Sequence, residues 1–324
     1  MTQLGPVRPE RCLFLVNPLS FRLSLPGAFA KLRHHAQSLG LEPHVVYGPQ
    51  EIEPLLESAL GSGLDLIIIV GGDGTLQGTV SVLATEHPDI TPPPILMLGG
   101  GRTNYTAAHL GTQGRPTSML ERALTRPDSF DMTSKATLKI TQTDQRPVFG
   151  FFLGGALVDY VIRDCHRYRA SGRGRIRQGR YSTIWRVAQL GLLGLFGRVH
   201  YQSSEMSFES AELGHMEGKT RLLVATTLDE TQVSVHPYLP EGKGPVKLTA
   251  VLRSARGFWW RLAHLLRGKP HSKLDIEHGY FSGHSHEVKI SGLANICVDG
   301  QEYELNPEQV TSIVAGPIYR FLSL

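Results

Sequence analysis

Cysteine is scarce in this 324-residue chain, which carries only Cys12, Cys165 and Cys297. They are widely spaced, with no CxxC pair and no Cys/His cluster of zinc spacing, which excludes a disulfide framework and a structural zinc site. Long apolar runs are lacking too. The longest lipophilic stretch, Leu190 to Phe196 (LGLLGLF), is far too short to span a bilayer. The opening MTQLGPVRPERC has no apolar core of the signal-peptide kind, so the expectation is a cytoplasmic protein that meets a membrane, if at all, from its inner face. Excess charge is small: a net +4 suits anionic substrates or membrane surfaces without singling out nucleic acid. What is present is an ordinary globular composition, 41% apolar and 19% charged, on a length that suits two domains.

Hydrophobic patterning changes character along the chain. Up to about residue 130, short apolar runs alternate with helical spacing. Residues 11–16 (RCLFLV) read as a strand ending at Asn17-Pro18, and Phe29, Leu32, Ala36 and Leu39 fall on one helix face that Gly40 ends. His44–Tyr47 is a second strand and Glu51–Leu60 a second helix. Asp65–Val70 (DLIIIV) is apolar enough to be buried on both faces of a parallel sheet, with a helical pattern resuming at Leu76–Leu83. Ile95–Leu98 is a further strand, and a helix is expected from Asn104. Strand–helix alternation of this kind predicts a doubly wound α/β domain. From Ala136 onwards the runs become short and alternating, among them ATLKITQT, EMSFES, VKLTAVL and EVKISG, which predicts an antiparallel β-rich domain. Two helical stretches, around Tyr181–Leu195 and Phe258–Leu266, interrupt it.

Two glycine clusters, Gly71–Thr75 (GGDGT) and Gly99–Gly101, each follow a buried strand and precede a helical pattern. Glycine there lets the backbone turn sharply and lets phosphate oxygens approach amide N–H groups, while the following helix start adds donors and a positive dipole end. Ligands of open α/β sheets bind beyond the carboxyl ends of the strands, where both clusters fall. Asp73, inside the first cluster, could polarise a hydroxyl or hold magnesium. Tight packing alone is the competing reading of either cluster. The spacing is neither GxGxxG nor GxxxxGK[ST].

With these pieces the sequence resembles the diacylglycerol kinase catalytic family, which also includes sphingosine and ceramide kinases and bacterial soluble lipid kinases. The matching segments are Val16-Asn17-Pro18, Gly71–Thr75, Gly101-Arg102-Thr103-Asn104, Gly154-Gly155-Ala156 and Val298-Asp299-Gly300, in order over nearly the full length. GGDGT after an apolar strand is the specific element, and the NAD kinases share it. The resemblance implies an NAD kinase/diacylglycerol kinase-like first domain binding ATP and a C-terminal β-sandwich holding a lipid acceptor. The expected boundaries are 1–132, with 312–324 returning to it, and 133–311. By position, Asn17, Gly71, Gly72, Gly74, Thr75, Gly100, Gly101, Arg102, Thr103 and Asn104 would line the nucleotide. Asp73 and Asp299 would serve catalysis and hold Mg2+, and Asp159 would meet the acceptor head group. A homodimer is plausible from the family alone.

The chain departs from the family at four places: Gly78 where a Glu is usual, Arg102 and Tyr105 in the second cluster, Gln301 after Asp299-Gly300, and HPYLPEGKG (236–244) where a glycine-rich stretch followed by Pro-Ala and Asp-Gly is usual. The stretch 163–198 carries nine arginines against one acid, Asp164. Arginine forks match phosphate oxygens. By the resemblance, Arg167, Arg169 and Arg180 are candidates for contacts to nucleotide or substrate. The stretch runs into IWRVAQLGLLGLFGR, which reads equally as an interfacial helix on a membrane or as a cover for the β-domain, and Phe258–Arg267 presents the same choice. His34, His35, His284 and His286 have no acid or thiol at useful spacing and are read as surface or core residues. The leading expectation is an ATP-dependent kinase phosphorylating a hydroxyl of a membrane lipid. A catalytically weakened lipid-binding relative and an NAD kinase-like small-molecule kinase are the alternatives. Nucleic acid is not expected as a partner, since few aromatics interleave with the basic run.

Overall fold

The computed structural model describes residues 5–101, 109–110, 114–170, 204–228, 236–268, 271 and 273–324, with backbone alone at 169, 170, 259, 260 and 263. The helix expected from Asn104, the apolar helix around Tyr181–Leu195 and most of the arginine run lie outside these residues. The chain divides into two compact units, residues 1–136 with 317–324 and residues 137–316.

The first unit is built on parallel strands. β1 (Cys12–Val16), β2 (Pro43–Val45), β3 (Leu66–Gly71) and β4 (Ile95–Gly99) lie in the order β2-β1-β3-β4. The final strand β15 (Thr311–Ser323) adds to β4 in parallel register, with Phe321 opposite Ile95. All six residues of β3 are buried, so a run with no polar break fits only the centre of such a sheet. Each large aliphatic side chain there contributes about 1.5–3 kcal/mol of burial. Among the described residues four helices pack beside the strands: α1 (Ala28–Ser38), α2 (Pro49–Leu60), α3 (Asp73–Glu86) and α4 (Pro116–Thr125). Gly40, at φ +78°, turns the chain out of α1. Glu51 folds back to accept from the Gly48 amide (2.9 Å) and caps α2. The returning segment is tied down by Tyr319, whose buried hydroxyl donates to the Val80 carbonyl (3.2 Å).

The second unit is antiparallel. It holds β6 (Val148–Gly150), β7 (Phe152–Ala156), β8 (Glu205–Ser210), β9 (Gly214–Thr226), β10 (Val246–Leu252), β11 (Tyr280–Ser285), β12 (Glu287–Ser291), β13 (Asn295–Val298) and β14 (Gln301–Glu304). β5 (Asp131–Thr141), like β15, runs through the boundary between the units. The long strand β9 makes the region sandwich-like. Its first half pairs with β8 and its second with β7 and β10, and Gly218 at φ +143° sits near the change of partner. The core between includes Leu138, Phe208, Leu223, Leu248, Phe281 and Ile290.

The predicted architecture, α/β followed by antiparallel β, is therefore what the chain adopts. Three elements had not been predicted: α4, β11 and the helix α5 (Leu157–Ala170). In α5 the apolar Leu157, Val161, Ile162 and Cys165 do recur at helical spacing, but they are interleaved with Arg163, Arg167 and Arg169, which mask the pattern. A further helix, α6 (Phe258–Leu265), buries Phe258 and Leu265 in a core cluster with Val251 and Tyr280. That supports the covering role for α6 over an interfacial one. Burial pushes the thiols of Cys12 and Cys297 up to about 12, so neither is poised as a nucleophile.

Candidate functional site

In the first unit the ends of β1, β3 and β4 meet. Asn17 leaves β1 with its amide donating to the Val70 carbonyl (2.9 Å), and its side-chain Nδ2 donates to Thr75 Oγ1 (3.2 Å). Its Oδ1 accepts from the Leu19 amide (2.9 Å), which shapes the following turn. The two glycine clusters lie against each other. The Gly100 amide donates to the Gly71 carbonyl (2.6 Å), and the Gly100 carbonyl accepts from the Arg22 amide (2.8 Å). Side chains are excluded here by space. A Cβ at Gly71 would lie 2.6 Å from Thr75 Oγ1, and one at Gly100 would lie 2.7 Å from Ser20 Oγ and 3.2 Å from the Gly71 carbonyl. Gly72 precedes α3 in extended conformation, and Asp73 is the first residue of that helix. The first-turn donors of α3 thus gather beside the paired glycine turns.

The Asn17, Gly71–Thr75 and Gly100–Gly101 candidates therefore converge on one spot, while Arg102, Thr103 and Asn104 lie outside the described residues. Ser20 belongs with them and was not anticipated. Its Oγ is buried and finds no hydrogen-bond partner among the described residues. A buried hydroxyl left this way is a cost that a ligand oxygen would relieve. One small hydroxyl in a turn leaves no periodic trace in a sequence. Gly78, where the resemblance leads one to expect Glu, is buried against α2, where a Cβ would meet Pro49 Cγ at 3.3 Å. A side chain there would need Pro49 to give by a few tenths of an ångström.

The second unit carries the remaining candidates. Asp299 and Gly300, at φ +47° and +85°, form the two-residue turn of the β13–β14 hairpin. The Asp299 carboxylate is buried and accepts the amides of Phe151 (2.8 Å) and Phe152 (3.0 Å), pinning that turn to the β6–β7 bend. Asp159 lies in the first turn of α5, one turn after Ala156 at φ +53°. Both of its oxygens accept from Arg163 Nε (2.9 and 2.8 Å). Burial pushes its carboxyl above the ordinary range, against the lowering effect of Arg163. Arg163 also donates to Glu302 Oε2 (3.0 Å) and the Tyr303 carbonyl (3.2 Å), while Glu302 Oε1 meets His166 Nδ1 (2.7 Å). Asp159, Tyr160, Arg163, Arg167, Ser204 and Asn295 line a cavity of about 190 Å³. The Arg169 side chain and Arg180 lie outside the described residues. His286, read as lacking an acid partner, has one in Glu212 (2.7 Å), 74 residues away in sequence.

Among the described residues no group of three or more His, Cys, Asp or Glu side chains could hold a metal by itself. Magnesium commonly takes one or two carboxylates with water and phosphate oxygens. Asp73 fits that habit, because an acid at the helix start that attracts phosphate needs a cation between the two. Asp299 fits it less well, with both oxygens already accepting backbone amides. No helix among the described residues is long and apolar enough to cross a membrane.

Residues 11–134 match the family model of the diacylglycerol kinase catalytic domain. No curated protein matches the sequence. Among solved structures, crystal structures from Bacillus anthracis strain Sterne are similar in fold. One, described provisionally as a diacylglycerol kinase, superposes with a TM-score of 0.65 at 14% identity, covering 97% of this chain and 96% of that one. A second, described as a diacylglycerol kinase, reaches 0.61 at 13% identity over the same shares of the two chains.

Proposed function

We propose, on the premise that residues 11–134 form a diacylglycerol kinase catalytic domain, that the chain transfers the γ-phosphoryl group of ATP to a hydroxyl of a membrane lipid. The observation that carries this reading is the cradle at Asn17, Ser20, Gly71–Thr75 and Gly100. Two glycine turns joined backbone to backbone, a helix start and a buried unpartnered hydroxyl together suit a chain of phosphates. In the reaction the lipid hydroxyl oxygen attacks the γ-phosphorus, the bond from that phosphorus to the bridging oxygen of ADP breaks, and the hydroxyl proton is released. Such transfers need positioning and charge neutralisation more than covalent help. Asp73, at the first turn of α3, is the group to orient the hydroxyl and accept its proton. Alternatively Asp73 would act by holding magnesium, which would supply charge neutralisation at the phosphates. The second unit contributes the acceptor cavity around Asp159, and the protein works as a peripheral visitor to the membrane surface.

The test is turnover of Mg-ATP in detergent micelles carrying a panel of lipids, with products identified by mass spectrometry. A phosphorylated lipid supports the reading and identifies the acceptor. Retained ATP binding without any lipid product would replace it with a regulatory lipid-binding role, a reading that the packing of Gly78 against α2 and the exposed Gln301 favour.

A further inference from the structure

A cavity of about 370 Å³ opens at the edge of the first unit opposite the glycine turns. Asp65 and Pro94 line it where the chain enters β3 and β4, and Arg320 lines it from β15, which pairs with β4 at Phe321 and Ile95. The glycine turns follow the other ends of the same strands, about 17 Å away along β3. A small molecule at one end therefore touches no group at the other. The volume falls at the lower end of the range for small-molecule sites, about 300–1,000 Å³. The walls are apolar and stiff. Val7, Leu60, Leu64 and Ile90 supply aliphatic surface, and Pro93 and Pro94, following Pro92, fix the backbone ahead of β4. Those prolines carry no N–H, so this wall offers carbonyls but no amide donor.

Two charged groups line the cavity, and they are not equally free. Asp65 is held by Arg8 (3.3 Å) and Arg11 (3.3 Å). Arg320, half-buried, donates from Nη2 to the Pro92 carbonyl (3.1 Å) and makes no ion pair with a described residue. The acid of the lining is thus neutralised and its cation is not. Glu10, Glu57 and Asp89, the acids nearest in sequence to the lining, are exposed to solvent, where screening weakens their reach. We infer that this cavity is an auxiliary ligand site for a small organic anion, a single carboxylate on a compact apolar body. The carboxylate pairs with the Arg320 fork, the strongest donor in the lining, and the body covers Leu60, Leu64 and Ile90. A neutral molecule of the same shape leaves the guanidinium without a counter-charge, and an amine meets it as a like charge. The site stands apart from the proposed reaction, because it uses no group of the phosphate cradle.

The probe is 1-naphthoate, titrated into the full chain by calorimetry, with 1-naphthalenemethanol as its neutral counterpart. The carboxylate should bind with a Kd below about 1 mM and about tenfold or more tighter than the alcohol. An excess of Mg-ATP should not displace it. Arg320→Gln should lower the carboxylate affinity about tenfold or more and leave the alcohol unchanged, while Arg320→Lys should keep part of the preference. Ile90→Glu, at a position 46% exposed, sets an acid on the cavity wall and should also weaken the carboxylate selectively. It decides the matter if the Arg320 variants fail to fold. No binding, equal affinity for acid and alcohol, or displacement by Mg-ATP overturns the proposal. So does an affinity that neither Arg320→Gln nor Ile90→Glu changes, which would place the carboxylate elsewhere on the chain.

Discussion

The two units treat their polar motif residues in opposite ways. In the first, the glycine turns are packed too tightly for a Cβ at Gly71 or Gly100, and Ser20 Oγ has no partner among the described residues. In the second, the acids are spent on the protein itself. Asp299 holds the amides of Phe151 and Phe152, Asp159 holds Arg163, and Glu302 is shared between Arg163 and His166. The lesson is that motif letters of equal apparent weight have unequal freedom to act. A site waiting for a ligand shows unmet hydrogen bonds and excluded side chains, whereas a structural motif shows its polar atoms already satisfied.

Substitutions can break this contrast, and the largest effect belongs to the first unit. Asp73→Asn should lower kcat by about 10²–10⁴-fold while the variant still folds, as read from a cooperative urea melt. Asp299→Ala should do the reverse in kind, lowering stability by about 2–4 kcal/mol in urea, because two buried amides lose a charged acceptor. Gly100→Ala should weaken ATP binding measured by titration calorimetry and cost about 1–3 kcal/mol of stability, since its Cβ would overlap Ser20 Oγ and the Gly71 carbonyl.

Smaller effects sharpen the picture of the second unit. Hydrogen bonds from His286 and Ser285 lower the Glu212 carboxyl from 4.5 to about 2. A group depressed on folding stabilises the fold above its unfolded value and loses that contribution as pH falls through its folded one. The stability gap between wild type and Glu212→Gln should therefore be full at neutral pH and close between about pH 4.5 and 2, as followed by urea melts across that range. The smallest change is expected at Arg8, half-exposed in its pair with Asp65 (3.3 Å), where Arg8→Ala should shift stability by no more than about 0.5 kcal/mol.

Much of the first unit was legible in sequence because its signals are local. An unbroken apolar run such as 66–70 has few alternatives to a central parallel strand, and the strand–glycine–helix order places a cradle at the strand ends. The rest depended on distance along the chain. Nothing near Asp159 announces that an arginine one turn away will take both of its oxygens. Nothing near Asp299 announces that its carboxylate will hold amides about 150 residues back in the chain. β11 escaped notice because YFSGHS is rich in small polar residues, although its side chains are largely buried against β10. Gly78 looked like a lost acid and proved to be a contact point between two helices.

The most direct test of the central claim, that the paired glycine turns of the first unit cradle the phosphates of ATP, is calorimetric titration of Mg-ATP into the wild-type chain and Gly100→Ala. Binding by the wild type that is lost or weakened about tenfold or more in the folded variant is the predicted result. Equal affinity in both, with the variant shown to be folded, would place the nucleotide elsewhere and contradict the account.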